Sequence, residues 1–325
     1  MGQNRLISPG SGKWWALGAV VILALAPIFI ASGYIRHLLV ISMLYAVVAA
    51  SWDMSLGYGG VFNFAHVALF AIGAYTGGIL TKSLGVPPFL AILAGGVVAV
   101  AASLLVCLPV LRVKGIYVCL VTFAFGQVCL HVVRSQGELT GGNRGLVLIP
   151  PVRIGSYAFT ADDKIAYYYL ALLLLVVATF FLRRLLGSYF GKSIVAVRDY
   201  EEYAVSRGIP LARQRLLTFA ASAVFTGMTG AVYAMYLGVV STDLFGFGYT
   251  TTLLSMVIVG GVATTYGPIL GAFLLGFLTE FMSDLGPWRY MITAVLIVLV
   301  LRYYPQGVYG GLQRLAGLLT RKRKS

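Results

Sequence analysis

Ten apolar stretches, separated by short polar or glycine-rich segments, set the rhythm of this chain. They run over 14–31, 35–53, 64–82, 87–111, 115–133, 165–186, 212–240, 250–263, 267–283 and 287–303. An α-helix needs about 20 mostly apolar residues to cross the hydrocarbon of a bilayer. Most of the stretches meet that length; the eighth is short and the seventh long. The pattern predicts an all-α polytopic membrane bundle of about ten transmembrane helices, with residues 1–325 forming one domain. Two connections are longer than the rest: 134–164, rich in Gly and Pro, and 187–211, basic but holding Asp199, Glu201 and Glu202. The first stretch, with Arg5 and Lys13 before it and Ala31-Ser32-Gly33 at its end, has the outline of a signal peptide. Its apolar run is long for one, which favours a retained helix.

Composition narrows the function classes. The chain is 59% hydrophobic and 10% charged, whereas soluble domains average about 45–50% apolar and about 25% charged residues. That excludes a soluble enzyme, a disordered chain and a nucleic-acid binder. The formal charge of +14 is a matter of topology. With ten crossings and both termini on the cytoplasmic side, 17 basic residues fall inside and 7 outside, as the positive-inside rule requires. The segment 134–164 is then periplasmic, 187–211 cytoplasmic, and 304–325 a basic cytoplasmic tail. Its Arg321-Lys322-Arg323-Lys324 run suits anionic lipid headgroups. Cys107, Cys119 and Cys129 all lie in apolar runs and give no disulfide framework.

Small residues recur four apart: Gly73 and Gly77; Ala91, Gly95, Ala99 and Ser103; Ala223, Gly227 and Ala231; Gly267 and Gly271. Such stripes let helix backbones approach closely where lipid removes the hydrophobic drive to associate, and predict internal packing of the bundle. Residues 51–66 read SWDMSLGYGGVFNFAH. Their glycines, Gly57, Gly59 and Gly60, weaken a helix and free backbone polar groups. Two readings stay open: a break lining a pathway, or a tight turn with Asn63 capping the next helix. Asp53 and Glu280 are the acids well inside the runs, both near run ends, where an interfacial place is cheapest. His66 and His131 read as hydrogen-bonded packing residues. Thr122 and Gln127 could face a neutral or zwitterionic cargo or bond between helices. No Asp, Glu or His chain for proton coupling is visible, and no Cys/His cluster has metal-ligand spacing.

In the inside loop, GSYFGKS at 187–193 resembles a phosphate-binding loop but has three residues between its glycines where four are required. ATP binding by this chain is therefore excluded. The rest reads as a short amphipathic helix mixing Ile194, Val195, Val197, Tyr203 and Val205 with charged residues, ended by Gly208-Ile209-Pro210. Such a helix is a candidate docking element.

These residues carry a family resemblance. LGYGGVFNFAHVALFAIGAYTGGIL (56–80), LPVLRVKGIYVCLVTFAFGQV (108–128), ELTGGNRGLVLIP (138–150), GKSIVAVRDYEEYAVSRGI (191–209), LTFAASAVFTGMTGAVYA (217–234), VIVGGVATTYGPILGAF (257–273) and YYPQGVYG (303–310) stand in order along the chain. It resembles the branched-chain amino acid ABC importer permeases of the LivM type. The resemblance implies a permease that pairs with a second, LivH-type permease in a bacterial inner membrane. Two cytoplasmic ATPase subunits would hold ATP and Mg, and a periplasmic binding protein would deliver substrate. This chain would carry no cofactor, no metal and no catalytic residue. The substrate pathway would involve Gly57, Tyr58, Gly59, Gly60, Asn63, His66, Thr122 and Gln127, with Thr140, Gly141, Gly142 and Asn143 at the outer vestibule. Coupling to the ATPase would fall to Gly191, Arg198, Asp199, Glu201, Glu202, Arg207 and Gly208, the acids facing basic groups of the ATPase. Gln127 stands where the family commonly has an acid, and relatives of the class carry urea, short amides or aromatic acids, so the cargo stays open. The rival of another class is a self-contained carrier or channel; it needs internal repeats, and none is evident. A membrane scaffold would leave the docking loop and the glycine break without a use.

Overall fold

A computed structural model describes residues 12–30, 32–154, 157–159, 164–282, 286, 288–303 and 306–312. Each of the ten apolar runs falls on a helix. These are α1 (Gly12–Phe29), α2 (Gly33–Asp53), α3 (Ala65–Ser83), α4 (Pro88–Val110), α5 (Ile116–Ser135), α7 (Lys164–Leu186), α10 (Leu211–Leu237), α11 (Phe247–Gly260), α12 (Gly267–Phe281) and α13 (Trp288–Tyr303). A single turn, α6 (Gly137–Thr140), and two short helices, α8 (Tyr189–Asp199) and α9 (Glu201–Ser206), lie in the two long connections. Among the described residues, five helices are long and apolar enough to cross a membrane: α2 with its extension to Tyr58, α4, α5, α7 and α10. Three shorter apolar helices, Val20–Phe29, Phe247–Gly260 and Gly267–Phe281, accompany them. The fold is an all-α membrane bundle. The basic run at 321–324 lies outside the described residues.

Two helices organise the packing. α2 is mostly buried and lies against α7, α10 and α12. α10 packs along both α3 and α4, which also pack on each other. The small-residue stripes make this second group: Gly73 faces the Gly227 carbonyl, Gly77 faces Ala231, and Gly95 faces both Ala231 and Gly227. A β-carbon on Gly227 would fall inside the van der Waals surface of Ala99 and the Gly95 carbonyl. Gly271 of α12 sits as closely on Met256 and Gly260 of α11. All four stripes thus serve internal packing. Large apolar side chains are bare on the outer faces of α4 and α5, among them Leu93, Val97, Leu105, Leu120 and Val128. A patch of this extent calls for an apolar surround.

Two sequence expectations are corrected. The 212–240 run stops as a helix at Leu237, because Gly238 takes a left-handed φ of 70° and caps it. Val239–Val240 then pairs antiparallel with Leu146–Val147 of the 134–164 connection, which also holds a two-residue ladder between Arg153–Ile154 and Tyr157–Ala158. The amphipathic loop helix is two helices, because Tyr200 between them is extended (φ −149°, ψ 84°). Cys107, Cys119 and Cys129 are free.

Candidate functional site

The glycine break is a buried change of helix type. α2 passes at Met54–Tyr58 into a π-helical turn, of the kind that often marks a functional segment. The chain leaves the turn through Gly59 and Gly60 and enters α3 at Ala65. Glycine is demanded by contact at Gly57, where a β-carbon would overlap the Asp53 carboxylate and the backbone of Ala263. At Gly60 it is demanded by a φ of 66°, with the Arg198 side chain lying against it. The connection breaks the helix and turns at the end of the bundle where α8 lies.

Asp53 is not at a wetted interface, as its place near the end of a run suggested. It is 1% exposed, and its Oδ1 accepts the Ala263 N–H at 2.8 Å. Ala263 carries a left-handed φ of 57° in the loop joining α11 to α12, a conformation unusual for a residue with a β-carbon. The carboxylate therefore holds that loop in an uncommon shape. Tyr58 Oη and Thr265 Oγ1 tie the same two segments at 3.2 Å.

The other side of the break is held by the loop helix. Arg198, in the last turn of α8, donates from Nη1 to the Gly57 carbonyl at 2.9 Å. Its Nε donates to Asp199 at 2.9 Å, which fixes the guanidinium in place. α8 itself is anchored. Ser188 caps it and accepts the Gly191 N–H at 3.5 Å, Gly191 abuts the Leu186 backbone of α7, and Gln214 Nε2 donates to the Phe190 carbonyl at 3.0 Å. α8, the π turn and the α11–α12 loop are thus linked in series, through Arg198–Gly57 on one side and Asp53–Ala263 on the other. Replacing Asp53 by alanine leaves the Ala263 N–H unmatched, and loss of an acceptor costs about 1–3 kcal/mol. Removing a buried carboxylate offsets part of that. D53A should therefore lower the unfolding midpoint in detergent modestly, while D53N, which keeps an acceptor oxygen, should lie closer to wild type.

Asn63, His66 and Thr122 come together at the start of α3. Asn63 Oδ1 caps the helix by accepting the Ala65 N–H at 2.8 Å, as its spacing predicted. Thr122 Oγ1 of α5 accepts the Phe64 N–H at 3.0 Å, so Thr122 takes the interhelical bonding role. His66 Nε2 lies 3.0 Å from Thr226 Oγ1 of α10, and its ring stacks on Trp52 of α2. Gln127 is further along α5 and half-buried. Thr140 to Asn143 stand apart, beyond the far end of α5. There Thr140 Oγ1 donates to the Val133 and Gln136 carbonyls at 2.6 and 2.8 Å, and accepts the Gly142 N–H at 3.2 Å. Thirteen residues along α5, from Thr122 to Ser135, separate the two groups, which at ~1.5 Å per residue is about 20 Å. In this state Gly57, Tyr58, Asn63, His66 and Thr122 are buried in packing, whereas Gly60 and Asn143 reach the surface.

The acidic residues of the loop do not all face outward. Glu201 is a correction: it accepts from Arg215 at 2.8 Å and pairs with Lys114 at 3.2 Å, both within this chain. Asp199 is held by Arg198 at 2.8 Å. Glu202 is exposed. Gly208, at φ 85°, ends α9 as foreseen. Arg207 covers the Tyr203 ring at 5.1 Å and donates to its hydroxyl. The outer surface of this segment presents the tyrosines at 189, 200 and 203 together with Val205, so it is more aromatic than acidic. Sequence reasoning singled out Arg198, Asp53 and Gly57, but not the bond between Arg198 and Gly57 and not Ala263. It missed Thr226 as the partner of His66, because Thr226 is one of several hydroxyls on α10, with Thr218, Ser222 and Thr229 beside it.

Comparison with known proteins accords with this architecture. The family model described as "Branched-chain amino acid transport system / permease component" matches residues 34–301. The high-affinity branched-chain amino acid transport system permease protein LivM of Escherichia coli K12 is 30% identical over 313 residues, covering 90% of this chain and 74% of the relative. The corresponding LivH of Salmonella typhimurium LT2 is 23% identical, covering 82% of this chain and 91% of its own length. BraD of Pseudomonas aeruginosa is 24% identical, with 84% and 93% covered. No solved structure matches. The all-helical apolar bundle, the match across residues 34–301 and the identity to LivM over nine-tenths of the chain establish that this protein belongs to the branched-chain amino acid transport permease family.

Proposed function

We propose that the chain is the LivM-type permease subunit of an ATP-driven importer for branched-chain or related neutral amino acids. It works by alternating access together with a second, LivH-type permease in a bacterial inner membrane. Two cytoplasmic ATPase subunits bind ATP and Mg, and a periplasmic binding protein supplies the substrate. All ten apolar helices cross the membrane, with both termini and α8–α9 on the cytoplasmic side, as the 17:7 split of basic residues implies. No bond of the substrate is made or broken by this chain.

The observation that carries the reading is the Arg198–Gly57 bond. A helix outside the bundle grips the carbonyl of the π turn, and Asp53, the last residue of α2 before that turn, holds the α11–α12 loop. A displacement of α8 by an ATPase therefore reaches two membrane helices through hydrogen bonds, without passing through flexible chain. The exposed tyrosines of α8 and α9 offer the ATPase a rigid aromatic surface of the kind enriched at interfaces. The pathway residues buried in this state become accessible only when the packing around the break rearranges.

The test is co-purification of the tagged chain from native membranes in mild detergent, followed by uptake in proteoliposomes. A second permease and an ATPase should accompany the chain, and leucine uptake should require ATP and all partners. A chain that purifies alone and transports alone is a self-contained carrier, and overturns the proposal.

A further inference from the structure

A cleft of about 430 Å³ opens between residues 60–62, the turn joining α4 to α5, and the region where α9 approaches α10. Its size falls within the range of about 300–1,000 Å³ typical of small-molecule sites. Phe62, Val110, Val113 and Val118 form apolar walls, and Lys114, Glu201 and Arg215 supply its charge. The charged groups are ordered: Glu201 sits between the two cations, 3.2 Å from Lys114 and 2.8 Å from Arg215. Arg215 is largely buried and Lys114 largely exposed. The cleft thus carries one formal positive charge beyond its internal pairing. Lysine has three donors and arginine five, so both can serve a second oxyanion without leaving Glu201. Ile116 lines the cleft and is itself bare, and beyond it Leu108, Tyr117 and Leu120 are bare and continue the apolar outer face of α4 and α5.

We propose that this cleft binds the headgroup of an anionic phospholipid. The phosphodiester sits on Lys114 and Arg215, and the acyl chains run outward along Leu108, Ile116 and Leu120. Charge complementarity sets the class of ligand, because one excess cation matches one phosphodiester. Continuity sets the source, because a free aqueous anion has no use for apolar walls that merge with a lipid-facing surface. Basic clefts between helix ends are general sites for anionic headgroups. Placing the lipid in the cytoplasmic leaflet rests on the orientation proposed above; the site itself does not.

The test uses the full chain, purified in detergent and stripped of lipid. Dioleoyl phosphatidylglycerol, dioleoyl phosphatidylcholine and inorganic phosphate are added separately, and the unfolding midpoint and the lipid-bound mass are read. Phosphatidylglycerol should raise the midpoint and remain bound, whereas the other two should do neither. Lys114→Gln should weaken phosphatidylglycerol binding roughly fivefold, the worth of one lysine at an anionic surface. Lys114→Glu should weaken it further, and Lys114→Arg should retain it. The variants' midpoints without lipid show that they fold, since Lys114 is exposed. Equal effects of the two lipids, an equal effect of inorganic phosphate, or unchanged binding by Lys114→Glu would each overturn the proposal. No transport is measured, so the outcome is independent of the importer reading.

Discussion

Gly227→Val should reduce the folded chain recovered from membranes by about tenfold or more. Overpacking costs about 1–3 kcal/mol, and ~1.4 kcal/mol is a factor of ten in a two-state equilibrium. The cost belongs at or above the upper end of that range because of where Gly227 sits. It is the point at which α3, α4 and α10 meet: Gly73 lies on its carbonyl, and its own α-carbon lies over Gly95 and Ala99. Even a single methyl there meets Ala99 and the Gly95 carbonyl, and backbone cannot rotate away as a flexible side chain can. A branched residue must push α10 off one neighbour or the other, which strips dispersion contact along the whole crossing. The measurement is the detergent-extracted, monodisperse fraction on size exclusion, with the unfolding midpoint of what survives. Gly248→Ala is the control. Nothing lies within 4 Å of a β-carbon at that position in α11, so it should match wild type. Wild-type recovery of Gly227→Val would mean that the three helices do not need this closeness.

The same glycine shows how far the sequence could be read. The four-residue spacing of small residues around Gly73, Gly95 and Gly227, each on its own helix, announced close helix crossings, because small residues on one helix face have few other uses in lipid. Spacing along one helix says nothing about which other helix it meets, so the α3–α4–α10 grouping emerged only from the structure. Helix positions were legible because apolar length is a one-dimensional property. Their ends were less so. The seventh run continued past Gly238, since Val239 and Val240 are as apolar as the helix before them, and they leave it to form a strand pair with Leu146 and Val147, far upstream in sequence. Asn63 as a cap was readable because capping is local. Glu201 was misread for the opposite reason: its partners Lys114 and Arg215 lie on other elements, the α4–α5 turn and α10. Nothing in a loop composition tells an internal ion pair from an outward-facing acid. Asp53 was conspicuous as an acid in an apolar run, but its task of holding Ala263 depends on a left-handed residue that no sequence pattern marks.

Arg198→Ala should fold and still bind its partners, yet lower ATP-driven uptake by roughly ten- to a hundredfold, since a hydrogen bond from a charged group contributes about 1.5–3 kcal/mol. The bond at stake is the 2.9 Å contact from Nη1 to the Gly57 carbonyl, the direct polar link between α8 and the π turn. Other anchors of α8 survive the change: the Ser188 cap, the close approach of Gly191 to α7, and the Gln214 bond to Phe190. The helix therefore stays in place, and the ATPase surface formed by the exposed tyrosines stays with it. What is lost is the grip on the turn, so a movement of α8 no longer carries Gly57, Asp53 and the α11–α12 loop along. ATP hydrolysis by the assembled complex should continue while transport falls, a split that a merely unfolded chain cannot produce. Arg198→Lys discriminates further, because a lysine keeps the charge but not the fork that holds Asp199 and Gly57 at once. It should fall between the two. Loss of ATPase activity in step with uptake would instead make Arg198 part of the docking surface. Wild-type uptake in Arg198→Ala would remove the latch from the mechanism and leave the ties of Asp53 and Tyr58 to the α11–α12 loop as internal packing of the bundle.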